Sequence, residues 1–541
     1  MKHGKEALPN NAHMVPLMAI KFCLDKAKIS LADVSFIGYS FNFNKRSKIT
    51  WPREKYLENN WGSKEAEAEF LSAPAKIQTT LKEMGFVGKI YWLDHELCHA
   101  ASAYYCSPFN ESAILSLDGI GEGCTAGLFY GNHHEINALE NVPYPHSIGF
   151  MWEKICKFLG FSEYHACKIM GLAGYGTPLQ YKKQFETIAS IEQDGLFKID
   201  NSILEFRSET FEKLENLFDL KQRTPSSELN YKHENIAASL QSRTNEIVLS
   251  LAKKIKNKTS SENLCLAGGV ALNCVTNSEL VNSKIFKNIF IQPAAHDAGT
   301  AVGSAYLVWN QILENKKIEG IEHFYVGPSY TELEYIEALK NAGLIFTKVL
   351  EIEQEVARLI AQGAIVGWFQ GAMEFGPRAL GNRSLLADPR NPNIREVLNT
   401  KVKHRELFRP FAPSVLDEYT REWFQVGELS QPNEYMLLTN LVRSDKRDKI
   451  PSVIHVDGTA RIQRVRPHIN SRYYKLIDEF RRITGVPVLL NTSFNDDEPI
   501  VCSPRDAIDT FLKTRIDYLV LGNLMVNRAT LQSRSAATKS K

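Results

Sequence analysis

The sequence predicts an α/β protein of more than one domain, and three stretches predict it. At 113–118 a short apolar run ends on Asp118 and is followed by the glycine turn GIGEG. At 263–280 (NLCLAGGVALNCVTNSEL) a β-rich run ends at Gly268-Gly269, and a helix is expected from about Ala271, with Asn273 in its first turn. At 289–307 (IFIQPAAHDAGTAVGSAYL) the same plan recurs: strand, Pro293, His296-Asp297, glycine, helix. Strand, tight turn and helix N-terminus is the arrangement in which α/β folds collect ligands at strand carboxyl ends. A length of 541 residues exceeds one ordinary core.

The remaining elements follow in order. Residues 14–28 have helical periodicity, 33–40 read as a buried strand, and 41–80 as loop with a short helix. GFVGKIYWLDH (85–95) is a strand running into a helix, because Ala100, Ala101 and Ala103 favour helix and no proline intervenes before Pro108. CTAGLFYGNHHEINALENV (124–142) reads as a hairpin with His133 and His134 in its solvated turn. An amphipathic helix is expected at 147–160, a glycine-rich loop carrying Lys168 at 167–176, and mixed helical structure at 180–260. Gly327-Pro328 in a charged stretch marks a boundary near 315–345. Beyond it, 453–465 reads as strand–turn–strand with His455, Asp457, Thr459 and Arg461. Residues 485–501 read as an apolar strand ending in Asn491, Thr492, Ser493 and Asn495, and 531–541 as a disordered tail.

Composition narrows the function. A hydrophobic content of 44% with 23% charged residues describes a soluble globular chain, and a net charge of +2 offers no attraction to nucleic acid or an anionic membrane. Nine scattered cysteines without a C-x-x-C pair fit a reducing compartment. No apolar run reaches membrane-spanning length and no signal-type apolar segment follows MKHGKEALPNN, so a cytoplasmic location is expected.

His95 and His99 are four residues apart, which places both imidazoles on one helical face. Asp118 and Asp297 occupy matching strand ends, and two imidazoles with two carboxylates suit Fe(II), Mn(II) or Zn(II) without choosing among them. The same letters, H-E-L-C-H, also spell the H-E-x-x-H zinc-peptidase pattern with Glu96 as general base, or two structural histidines. Lys168 beside glycines is either solvated or a phosphate partner. At 364–415 Arg378, Arg383, Lys403 and Arg409 stand between apolar elements, as a basic oxyanion pocket or a salt-bridged surface.

Seven motifs taken together, HELCHAASAYY, LSLDGIGEG, KIMGLAGYG, LAGGVALN, GAMEFGPRALGNRS, VKHRELFRPFAPSV and LNTSFNDDEPIV, resemble the NodU/CmcH/TobZ family of O-carbamoyltransferases from about residue 8 to 525. The resemblance implies an N-terminal ASKHA-type (actin-like ATPase fold) metal-binding domain over 1–325 and a C-terminal YrdC-like α/β domain over 345–530. It implies that the second domain forms carbamoyl adenylate from carbamoyl phosphate and ATP (with Mg). The first would then pass the carbamoyl group to a hydroxyl of a small secondary metabolite. Carried over, His95, His99, Asp118 and Asp297 hold a divalent metal, Fe(II) in relatives, with His95 and Asp118 also catalytic. Lys168, Gly268, Gly269 and Asn273 hold the adenylate. Arg378, Lys403, Arg409 and Ser493, with Arg383 and Asn495, form the carbamoyl phosphate and ATP site. Neither the acceptor nor the oligomeric state follows from these motifs.

Two departures from the family pattern carry expectations. Relatives open with a β-hairpin that precedes the counterpart of MKH, so a chain starting at Met1 is expected to lack it, with impaired folding or transfer; a catalytically impaired paralogue acting as a binding protein is the corresponding alternative. Cys167 stands where relatives usually have glycine. The family's kinship with tRNA-modifying enzymes raises an RNA substrate, against which the near-neutral charge and lack of a basic stripe argue.

Overall fold

Continuous burial along Glu111–Leu117 (β3) makes it the central strand of the N-terminal unit, since a strand apolar on both faces must be covered on both. A computed structural model describes residues 15–49, 63–427 and 430–531. The expectations for the chain start and for the tail from 532 onward lie outside the described residues. The chain divides into two units between Ile321 and Glu322.

In the first unit, Phe36–Tyr39 (β1) and Lys89–Trp92 (β2) form a separate parallel pair. β3 pairs antiparallel with Cys124–Asn132 (β4), from Glu111 opposite Asn132 to Leu117 opposite Ala126, and β4 pairs antiparallel with Glu135–Pro143 (β5). On its other edge β3 runs parallel to Asn263–Ala267 (β6), which runs parallel to Asn288–Ile291 (β7). The sheet order is therefore β5-β4-β3-β6-β7.

Around these strands lie Leu17–Ala27 (α1), Lys64–Glu83 (α2), His95–Tyr104 (α3), Ile148–Phe158 (α4), Ala166–Ala173 (α5), Tyr231–Thr259 (α6), Cys274–Asn282 (α7) and Thr300–Tyr306 (α8). α6 buries Ile236, Leu240, Ile247, Leu251 and Ile255, a 3.6-period stripe, and Asn230 caps it by accepting from the amides of Lys232 and His233. α3 is buried along nearly its whole length, and its small residues let α8 approach closely. A Cβ on Gly303 of α8 would lie 1.8 Å from the Cys98 carbonyl oxygen, so only glycine permits this crossing.

The second unit is built on an eight-stranded mixed sheet. Its strands are Thr347–Lys348 (β8), Val366–Phe369 (β9), Arg383–Ala387 (β10), Ala412–Leu416 (β11), Gln463–Val465 (β12), Val488–Ser493 (β13), Tyr518–Leu521 (β14) and Leu524–Asn527 (β15). The order is β8-β15-β14-β9-β10-β13-β11-β12. Helices Ile352–Ala361 (α9), Ser471–Thr484 (α10) and Pro504–Lys513 (α11) bury Val356, Ile360, Leu476, Phe480, Ile508 and Phe511 in its core.

Four local expectations are corrected. Residues 64–83 form a 20-residue helix rather than loop, because Ala73, Ile77 and Leu81 bury against Phe43 and Phe86 and outweigh the polar composition. Lys168 lies on helix α5, not in a glycine loop: Ile169 and Leu172 make a buried i, i+3 pair, and Gly174 and Gly176 act only after the helix has ended. Asn273 is the N-cap of α7, one position before the helix starts at Cys274. Residues 453–465 do not form a hairpin, since Thr459–Ala460 pairs with Asn440–Val442 while β12 pairs with β11.

Candidate functional site

The four predicted ligands converge in the first unit. His95 Nε2 and His99 Nε2 are 3.1 Å apart. Asp118 Oδ2 lies 3.5 and 3.6 Å from them, and Asp297 Oδ1 3.6 and 3.5 Å. Ligand atoms bound about 2.0–2.2 Å from one ion have tetrahedral edges of about 3.3–3.6 Å. These spacings therefore fit a single divalent cation held by two imidazoles and two carboxylates.

Each ligand is oriented by its surroundings. His95 Nδ1 is 3.0 Å from the Ser40 carbonyl, so it carries the proton and leaves the Nε2 lone pair for a metal. Asp118 Oδ1 accepts the Gly269 amide at 2.9 Å while Oδ2 faces the histidines. Both histidines are buried and the Asp297 side chain is 75% exposed, so the cluster opens on the Asp297 side. Burial opposes charge on His95 and His99, but Asp118 and Asp297 outweigh it, holding His95 well above the imidazole range and raising His99 to about 9.

Glu96 does not stand as a peptidase base would. It is 4% exposed, accepts from Ser116 Oγ on β3, and burial, with Asp118 nearby, raises its carboxyl to about 7. Glu122, absent from the expected set, completes the site: its Oε1 accepts the amides of Asn42 at 2.7 Å and His95 at 3.1 Å. A buried carboxylate thereby meets the positive N-terminus of α3. It comes from 27 positions downstream.

The remaining predicted residues of this unit sit close by in the fold. Gly268 has φ +86°, and an added Cβ would lie 2.2 Å from the Leu117 carbonyl oxygen. Gly269 binds Asp118 directly. Asn273 Oδ1 accepts from the Val275 and Thr276 amides, and its Nδ2 donates to Gln241 at 3.0 Å, so it braces α7 on α6. Lys168 lies on α5, whose Met170 sulfur is 3.8 Å from Cys274 Sγ at the start of α7, with its ammonium 5.8 Å from the Phe161 ring centre.

In the second unit, Lys403, Ser493 and Asn495 form one cluster. The Lys403 ammonium donates to Ser493 O, to Ser493 Oγ at 3.3 Å, to Asn495 O at 2.8 Å and to Asn495 Oδ1 at 2.6 Å. Burial, reinforced by Arg405 and Arg409, holds Lys403 well below the usual lysine range. Arg405, not singled out in the sequence, stacks 4.6 Å from the Phe411 ring centre and donates to Asn399 Oδ1 at 2.7 Å. Arg378 is half-buried on the turn that precedes β10. That turn meets β13 where Asn491 Nδ2 donates to Ala379 O at 3.1 Å. Arg383 is fully buried, and its guanidinium donates to the carbonyls of Gln370, Gly371, Asn382 and Pro328, which gives it a structural role.

Comparison with known proteins matches this division. A family model described as "Carbamoyltransferase N-terminus" matches residues 6–306, and one described as "Carbamoyltransferase C-terminus" matches 357–528. Nodulation protein NolNO of Sinorhizobium fredii is 36% identical over 96% of this chain and 75% of its own length. Nodulation protein NolO of Bradyrhizobium diazoefficiens is 37% identical over 83% of this chain and 81% of its own. An uncharacterized Synechocystis protein, sll1178, is 37% identical over 97% of this chain and 92% of its own. With the family models covering both units and relatives of this identity along most of its length, the chain belongs to the NodU/NolO family of carbamoyltransferases.

Proposed function

We propose that this carbamoyltransferase is ATP-dependent and works in two stages. In the second unit, carbamoyl phosphate and ATP form carbamoyl adenylate with release of phosphate and pyrophosphate. In the first, the carbamoyl group passes to the hydroxyl of a small secondary metabolite and AMP leaves. The observation that carries this reading is the separation of two unlike sites: a His2Asp2 cluster before residue 321, and a buried cationic cluster around Lys403 after 322. The strand order β5-β4-β3-β6-β7, antiparallel for three strands and parallel for two, supports an ASKHA-type first domain.

The chain's residues have distinct tasks in this scheme. Carbamoyl phosphate is a small dianion, and Arg378, Lys403 and Arg409 supply the cations that receive it and offset charge on the departing phosphate. Ser493 and Asn495 hold the Lys403 ammonium in one orientation. Gly268 and Gly269 let the backbone approach a nucleotide closely beside Asp118, and Lys168 on α5 supplies a cation for it. His95, His99, Asp118 and Asp297 would hold a divalent ion, Fe(II) by analogy with the family. When bound, it supplies a Lewis acid that polarises the carbamoyl carbonyl or lowers the acceptor hydroxyl's pKa. The working location proposed is the cytoplasm; among the described residues, no helix is long and apolar enough to cross a membrane.

The test is carbamoyl phosphate-dependent release of pyrophosphate from ATP without an acceptor, with Arg409→Ala alongside. Release that disappears in the variant supports the first stage. No release from folded wild-type protein overturns it.

A further inference from the structure

The turn 374–383 between β9 and β10 carries Arg378 and has no ladder of its own to satisfy its backbone. Buried amides without partners are costly, so something must accept from them. Glu374, 5% exposed, does so: its Oε1 accepts the amides of Leu380 at 2.7 Å, Asn382 at 2.8 Å and Arg383 at 3.2 Å. At the end of the turn the fully buried Arg383 guanidinium donates from Nη1 to Asn382 O at 3.0 Å, and to Gln370 O at 2.8 Å and Gly371 O at 3.3 Å on the chain that enters the turn. One buried anion thus gathers N–H groups of the turn, and one buried cation ties its Asn382 carbonyl to the Gln370 and Gly371 carbonyls of the chain leading into it. Ala379 and Leu380, each 3% exposed, anchor the residues directly after Arg378. Beneath them Gln463 Nε2 donates to Leu380 O at 2.8 Å and Asn491 Nδ2 to Ala379 O at 3.1 Å. Asn491 lies on the strand that ends at Ser493, the Lys403 partner.

We propose that Glu374 is a positioning residue for the carbamoyl phosphate site, holding the 374–383 turn in its binding geometry before substrate arrives and acting through Arg378. The inference rests on the reading that Arg378 receives carbamoyl phosphate. Glu374 reaches substrate only through the backbone it organises. Its second oxygen, Oε2, is buried with no hydrogen-bond partner among the described residues, so its charge is balanced across the turn by Arg383. Replacing the carboxylate by an amide keeps the shape, weakens the three charge-assisted bonds and leaves Arg383 without that counter-charge.

The experiment compares wild type, Glu374→Gln, Arg378→Ala and the double variant in pyrophosphate release, with separate KM values for carbamoyl phosphate and ATP. Glu374→Gln is expected to raise the carbamoyl phosphate KM about tenfold or more while leaving the ATP KM unchanged. The double variant should be no worse than Arg378→Ala, because both changes remove one interaction. Multiplying losses, or an unchanged KM in folded Glu374→Gln, would overturn the role of Glu374. An unchanged KM in Arg378→Ala would instead overturn the reading beneath it. Hydrogen exchange on the wild type tests the same point if the variant fails to fold. The 374–383 amides should exchange equally slowly with and without carbamoyl phosphate, and protection only in its presence would mean that substrate, not Glu374, orders the turn.

Discussion

The Gly269 amide donates to Asp118 Oδ1 at 2.9 Å, so the turn proposed to cradle a nucleotide also fixes a carboxylate of the candidate metal cluster. The two halves of the chemistry proposed for the first unit share one hydrogen bond. Gly268→Ala should disturb both, since its Cβ would meet the Leu117 carbonyl at a φ of +86°. A loss of about 1–3 kcal/mol in stability is expected from the strain. Calorimetric melting together with metal analysis of the purified protein checks it, and full metal content with an unchanged melting temperature would contradict it.

Removing one ligand should separate the stages. Asp118→Asn or His99→Ala is expected to abolish stoichiometric metal binding and carbamoyl transfer to an acceptor while leaving pyrophosphate release intact. The Lys403 cluster proposed to serve the first stage lies in the other unit. Parallel assays of metal content, pyrophosphate and carbamoylated product decide this, and joint loss of both stages would count against two separate sites.

Protons compete with the metal. In the metal-free site the histidines are raised, His99 to about 9, by Asp118 and Asp297, and binding must displace both protons. Affinity should therefore rise steeply with pH, approaching about a hundredfold per unit while both histidines are protonated, and less steeply once His99 has lost its proton above about 9. The metal-free protein follows the opposite sign: the raised histidines stabilise it fully below about 6.5, and the His99 contribution fades as pH rises through about 9. Chelator competition and melting curves at several pH values measure the two trends.

Lys403 should take up a proton when carbamoyl phosphate binds. In the empty site, burial and the cations Arg405 and Arg409 hold its pKa well below the usual range, and an arriving dianion reverses that balance. Binding enthalpies in buffers of different ionisation enthalpy should reveal proton uptake above the lowered pKa. Lys403→Met should abolish the uptake and slow pyrophosphate release by about 10²–10³-fold.

Where local signals agreed with tertiary burial, sequence reasoning reached the structure. The His95/His99 spacing, the strand before Asp118 and the 124–142 hairpin needed only periodicity and turn chemistry. Helix α2 was hidden because its buried face, Ala73, Ile77 and Leu81, is sparse within a polar stretch. The glycines around Lys168 look like a loop until the Ile169–Leu172 pair is known to be buried. Arg383 has the letters of an anion ligand, yet both its Nη atoms donate to backbone carbonyls. Glu122 and Glu374 gave no signal, because a carboxylate that collects distant amides is defined by the folded backbone alone.

The four-ligand cluster also has a topological consequence. Asp118 and Asp297 are separated by about 180 positions, so an ion joining them would act as a cross-link closing a very long loop. Closing a loop of that size restricts the unfolded chain by an amount on the order of 5 kcal/mol in chain-entropy terms. Loading the ion would thus act as a late clasp on folding, drawing together two ends that synthesis delivers far apart in time.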